Sequence, residues 1–168
     1  MQQWVYSDAL ILGILDRVET IALVGASAKW NRPSFFAMKY LQEKGYRVIP
    51  VNPGLAGQEL LGERVYAGLG EIPLPFGMVD IFRNAEAAGP IVDRAIALKE
   101  SRKIEVVWMQ LGVIACAAAA RAEAAGLTVV MDRCPKIEYG RLHSELSWGG
   151  FDSGVITAKR RRLKVAWS

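Results

Sequence analysis

Residues 20–34 read TIALVGASAKWNRPS, and this stretch decides the fold. Its first part is a short, β-branched apolar run closed by Gly25. Such a run is buried on both faces, as a strand of a parallel sheet is. A loop follows, and Pro33 and Ser34 then mark the start of a helix running to residue 44. Strand, glycine turn and helix in that order open a βαβ unit. The helix start turns backbone N–H groups and a positive dipole end toward the strand's carboxyl end, where an anion would be welcome. The loop nevertheless carries one glycine where a dinucleotide-binding loop has three, and it adds Lys29 and Arg32.

The alternation extends in both directions. Upstream, Leu10, Ile11, Ile14, Leu15 and Val18 have helical spacing behind Ser7, an N-cap residue. Downstream, Gly45 supplies a left-handed cap, and a strand at 46–51 ends in Asn52-Pro53-Gly54. Residues 55–78 are rich in glycine and proline. They are expected to form a loop with a short strand or turn, and at most a brief helix near 67–71. The sequence predicts a third strand at 79–83, apolar up to Phe82-Arg83, then a helix at 90–99. A fourth strand follows at 105–110, an alanine-rich helix at 114–125 and a fifth strand at 127–131. Trp108 is expected in the core. Beyond Asp132 the chain turns polar and is expected to wrap the surface, with His143 exposed. The pattern reads as an α/β protein, a three-layer α/β/α arrangement with a mainly parallel five- or six-stranded sheet. One domain is expected over residues 1–145, with a loosely ordered basic extension at 146–168.

Composition narrows the classes. The chain has 168 residues, 52% hydrophobic and 23% charged, enough for one well-packed core. The net charge of +4 owes much to Lys159, Arg160, Arg161, Arg162 and Lys164. The rest is near neutral, so no nucleic-acid partner is required, and a short basic run at a terminus reads as solvated. Cys116, Cys134 and the single histidine, His143, lack metal-ligand spacing. No leader and no apolar run of about 20 residues is visible, so the expectation is a cytoplasmic protein without a membrane partner.

In open α/β sheets, ligands bind outside the carboxyl ends of the strands, where strand order reverses. That rule selects Gly25, Ala26 and Ser27, then Asn52 and Pro53, Phe82 and Arg83, Gln110 and Gly112, and Asp132-Arg133. Gly25 allows close backbone approach, Ser27 can donate a hydroxyl, and Lys29 and Arg32 add charge suited to phosphate. The plainer alternative is a tight turn flanked by solvated charges. A nicotinamide-dinucleotide domain places an acid near the end of its second strand to bind ribose; here that position reads Val51-Asn52-Pro53. Cys134, beside Arg133 and Lys136, could form a thiolate or serve as a structural thiol.

In order along the chain, the motifs are VGAS…RPS at 24–34, GYRVIPVNP at 45–53, GQELLG…VY at 57–66, VDIFR at 79–83, WMQLGV at 108–113 and VVMDRCPKIEYGRL at 129–142. In this order they resemble the small stand-alone CoA-binding proteins. Those proteins share a Rossmann-like domain with the CoA-binding part of the succinyl-CoA synthetase α subunit. The resemblance implies a Rossmann-like fold that binds coenzyme A. It implies that Gly25, Ala26, Ser27, Lys29, Arg32, Pro33 and Ser34 face phosphates. Asn52, Pro53, Phe82 and Arg83 would then lie by the nucleotide, with Gln110 and Gly112 toward the pantetheine arm.

Coenzyme A carries a pyrophosphate and a separate 3′-phosphate, so its binder should replace a ribose-reading acid with neutral and basic groups. No nucleophile–base pair is evident, and the chain is too short for the synthetase's second domain. The expectation is a non-catalytic binding or regulatory module for coenzyme A or an acyl-CoA. An exposed apolar helix could pair two copies into a homodimer. The competing expectation is a nicotinamide-dependent oxidoreductase of Rossmann type.

Overall fold

A computed structural model of the chain describes residues 4–143. The extension expected at 146–168, with its basic run, lies outside the described residues. In chain order the elements are α1 (Asp8–Arg17), β1 (Thr20–Val24), α2 (Pro33–Glu43), β2 (Arg47–Val51), β3 (Glu59–Leu60), β4 (Glu63–Arg64), β5 (Met78–Ile81), α3 (Ala85–Arg102), β6 (Val106–Met109), α4 (Cys116–Ala124), β7 (Thr128–Val130) and α5 (Pro135–Leu142). Single 3₁₀ turns occur at Pro53–Leu55 and Leu69–Glu71.

The main sheet has five strands in the order β2-β1-β5-β6-β7, every pair parallel. Strand alternation sends Ala22, Val24, Val79, Ile81, Val107 and Met109 to a core shared with α3 and α4. Ile21, Leu23, Met78, Val106 and Trp108 go to the core shared with α1, α2 and α5. The result is the expected three-layer Rossmann-like arrangement. From β1 the chain first steps outward to β2, then returns past β1 to β5. The strand order therefore reverses between β1 and β5, and a crevice opens there. Pro50 is tolerated because β2 is an edge strand.

Gly25 closes β1 on that crevice. Its φ is +93°, and a Cβ at this position would lie 2.5 Å from the carbonyl oxygen of Phe82. The amide of Phe82 meanwhile donates to the carbonyl of Val24 (2.8 Å). The loop and the end of β5 are thus pressed together at a distance only glycine permits.

Several expectations need correction. Residues 55–78 keep the brief helical turn expected there, at Leu69–Glu71, but the short strand is paired as a two-stranded antiparallel hairpin, β3–β4. The helix expected at 90–99 starts at Ala85, because the Asn84 side chain caps it by accepting from the Ala87 amide (2.9 Å). Pro90 lies inside that helix. The polar segment after Asp132 forms α5, which buries Pro135, Glu138, Tyr139 and Gly140. Its charges are used locally: Arg141 contacts both Asp8 (2.9 Å) and Glu138 (2.6 Å). His143, expected on the surface, is 2% exposed. It follows Tyr139 by one helical turn, and its ring stacks on the tyrosine ring with centroids 3.9 Å apart.

The strand at 79–83 is also less apolar than its reading suggested. Asp80, between Leu23 of β1 and Trp108 of β6, is fully buried. Neither carboxyl oxygen has a hydrogen-bond partner among the described residues. Burial holds this carboxyl's pKa well above the usual carboxylate range. The fold therefore retains a proton that the unfolded chain releases above about pH 4. Stability contributed at Asp80 is full below that pH and is lost as pH rises through the folded pKa.

Asp80→Asn should flatten the fall in melting temperature from pH 4 toward neutrality, and Asp80→Val should add about 1–3 kcal/mol at pH 7. Identical pH profiles for Asp80→Asn and wild type in thermal melts would contradict this. Gly25→Ala should cost about 2–4 kcal/mol, from a strained φ and a backbone clash, lowering the melting temperature by about 5–15 °C.

Candidate functional site

At the point where strand order reverses, the strand ends enclose a cavity of about 540 Å³. Val24 and Gly25 form one side. Val51, Asn52 and Pro53 at the end of β2 form the next. Ala67, Gly68 and Leu69 close it beyond β2, where Tyr66 bridges to Val51 and receives the Asn52 amide (2.9 Å) on its carbonyl. Arg83, beside Gly25, and the α3 residues Ala87, Pro90, Ile91 and Arg94 complete the lining. These four helix positions recur at the spacing of a single helix face, so α3 presents one stripe to the cavity. The stripe is apolar for two turns and ends in a guanidinium.

The loop after β1 is pinned from below. The amides of Gly25 and Ala26 both donate to the carbonyl of Val51 (3.0 and 3.2 Å). The Asn52 side chain locks the same loop from the side. Its Nδ2 donates to the carbonyl of Ala26 (2.7 Å), while its Oδ1 accepts from the Gly54 amide (2.8 Å). An aspartate here could accept but could not donate to Ala26. The absence of an acid at the end of β2 therefore has a structural reason.

Of the residues singled out in the sequence, Gly25, Asn52, Pro53 and Arg83 are brought together on the cavity wall. Arg83 runs alongside Gly25, its Cδ 3.2 Å from where a Cβ would stand. The others lie elsewhere. Ala26 is buried beneath the loop, and Ser34 is 5% exposed within the first turn of α2. The Ser27 hydroxyl oxygen accepts from the Lys29 amide (3.1 Å), a local turn. Lys29, Arg32 and Pro33 are exposed and outside the cavity lining. Phe82 packs into the core on the α1, α2 and α5 side. Gln110 and Gly112 follow β6 on the same carboxyl edge, where the Gly112 amide donates to Asp132 Oδ1 (2.8 Å). Gln110 Oε1 is buried with no hydrogen-bond partner among the described residues. Cys134 is buried at the N-cap of α5.

Ala67, Gly68, Leu69, Ala87, Pro90, Ile91 and Arg94 were not foreseen. Strand-end reasoning names only residues next to a strand. A signal did exist for α3: with Asn84 read as its cap, residues 87, 90, 91 and 94 fall on one face.

Comparison with known proteins agrees with this architecture. Residues 19–140 match the CoA binding domain family. The uncharacterised protein YneT of Bacillus subtilis is 34% identical over 133 residues, covering 79% of this chain and 94% of its own. Among solved structures, Prb, the PH1109 protein redesigned for binding, is 40% identical. It superposes with a TM-score of 0.76, covering 82% of this chain and 93% of its own. A hypothetical protein of Pyrococcus horikoshii is 37% identical with the same TM-score of 0.76, covering 84% and 99%. The chain, with its all-parallel sheet and its glycine at the point of strand reversal, belongs to the CoA binding domain family.

Proposed function

We propose that this protein binds coenzyme A, or an acyl-CoA, in the cavity between Gly25, Asn52 and α3, and acts as a non-catalytic binding or regulatory module. The observation that carries this reading is the pairing of two arginines, Arg83 and Arg94, with walls that are otherwise apolar or neutral. An apolar slot suits a purine, and guanidiniums suit phosphate. Two separate cations suit a ligand with two separate anionic groups, as coenzyme A has.

The non-catalytic part rests on the chemistry of the lining. Among the described residues, the cavity lining includes no carboxylate, thiol, hydroxyl or imidazole, and so no nucleophile or general base. Supporting the choice of coenzyme A over a nicotinamide dinucleotide, Asn52 stands where a ribose-binding acid would be, its amide committed to the loop. A cytoplasmic setting fits a ligand of this kind, and no helix among the described residues is long and apolar enough to cross a membrane.

Coenzyme A at 100-fold its dissociation constant should raise the melting temperature by about 5–10 °C, with no shift from NAD or NADPH. No shift with millimolar coenzyme A, or an equal shift with NADPH, would contradict the reading. Arg83→Gln should weaken coenzyme A binding by about 10–100-fold. The double variant Lys29→Ala, Arg32→Ala should stay within about fivefold of wild type in isothermal titration, as expected for solvent-exposed charges.

A further inference from the structure

Of the ten arginines among the described residues, six make an ion pair or a side-chain hydrogen bond. Arg17, Arg47, Arg121 and Arg141 are ion-paired, and Arg102 and Arg133 donate to backbone carbonyls. The Arg94 side chain, like that of Arg83, has no hydrogen bond or ion pair among the described residues, and both line the cavity. Arg94 is also held in place by shape. A Cβ on Gly70 would lie 2.5 Å from Nη2 of Arg94 and 3.4 Å from its Cζ, so the guanidinium rests on bare backbone. That backbone is anchored, because Arg102 ties the turn to α3 through the carbonyls of Ile72 (2.7 Å) and Gly70 (3.2 Å).

Arg83 and Arg94 line different parts of the cavity wall. Arg83 lies against Gly25, at the loop that leads into the N-terminus of α2. Arg94 lies two turns, or ~10 Å, along α3 from Ala87, over the turn at Gly70. Between them the α3 stripe offers only Ala87, Pro90 and Ile91. A ligand that brings its pyrophosphate to Gly25 and Arg83 and its purine to this apolar stretch turns the far side of its ribose toward Arg94.

We propose that Arg94, seated on Gly70, binds the 3′-phosphate of the ligand and so sets the preference for coenzyme A over dephospho-coenzyme A. This rests on the coenzyme A reading of the same cavity. The two ligands differ by one phosphomonoester, which carries nearly two charges at neutral pH and presents oxygens that a guanidinium can bind in pairs. Arg83 serves the pyrophosphate, which both ligands possess, and does not discriminate between them.

Isothermal titration of the full chain with each of the two ligands tests the assignment. Wild type should bind coenzyme A about 10–100-fold more tightly than dephospho-coenzyme A. Arg94→Gln should bring coenzyme A down to the dephospho level while leaving dephospho-coenzyme A within about threefold. Gly70→Ala keeps the charge and has no positive-φ strain to overcome, but it puts a carbon where the guanidinium lies. It should erase part of the preference with the melting temperature little changed. Equal binding of both ligands by wild type would overturn the proposal and leave the coenzyme A reading intact. Equal weakening of both ligands by Arg94→Gln would also overturn it, since Arg94 would then only support the wall. Binding of neither ligand by wild type would overturn the underlying reading as well.

Discussion

The contact between Gly25 and the carbonyl of Phe82 is the constraint on which the rest of the site depends. A Cβ would sit 2.5 Å from that oxygen, so β1 and β5 can end side by side only if the first residue after β1 is glycine. The closeness has two effects. It aims the loop at the gap where strand order reverses, and it brings the Arg83 side chain beside the loop's first residue. The carbonyl of Val51 then receives two loop amides and the side chain of Asn52 reaches back to Ala26, so the loop is fixed from three directions. The cavity wall is therefore built before any ligand arrives, which lowers the ordering cost of binding.

The same frame explains the division of chemistry within the cavity. The strand ends contribute backbone and small side chains, because a parallel strand buried on both faces has no polar side chains to spare. Charge comes from outside the sheet, from Arg83 just past β5 and from Arg94 on the last cavity-facing turn of α3. Asp80 is the exception to the apolar sheet. A neutral carboxylic acid in mid-sheet, on the face opposite the cavity, weakens the fold as pH rises and lines no part of the site.

Much of the fold was legible because parallel strands and capped helices leave strong local signals. TIALVG and GYRVIPV could be read as strands from their length and branching, and Gly45 and Gly126 have the positive φ expected after a helix. What was missed depended on distant partners. The segment 135–142 looked like polar surface because its buried side, Tyr139 with Glu138, is recognisable only when α1 supplies Asp8 to share Arg141. His143 is buried by Tyr139, one turn away. Pro90 suggested a helix start, but the Asn84 cap allows the helix to begin earlier and carry the proline within. That earlier start adds Ala87 to the helix face that lines the site with Pro90, Ile91 and Arg94. The loops after strands are marked in sequence by glycine, asparagine and arginine, whereas Ala87, Ile91 and Arg94 acquire meaning only once α3 is laid across the sheet.

The central claim is that coenzyme A occupies the cavity between Gly25, Asn52 and α3. Amide chemical-shift mapping by two-dimensional ¹H–¹⁵N NMR, with coenzyme A titrated into the ¹⁵N-labelled protein, tests it most directly. The account predicts perturbations concentrated at Gly25, Asn52, Gly68, Ala87 and Arg94, with the α1 and α5 amides unmoved. Perturbations gathered on the α1–α5 face, or none at saturating ligand, would contradict it.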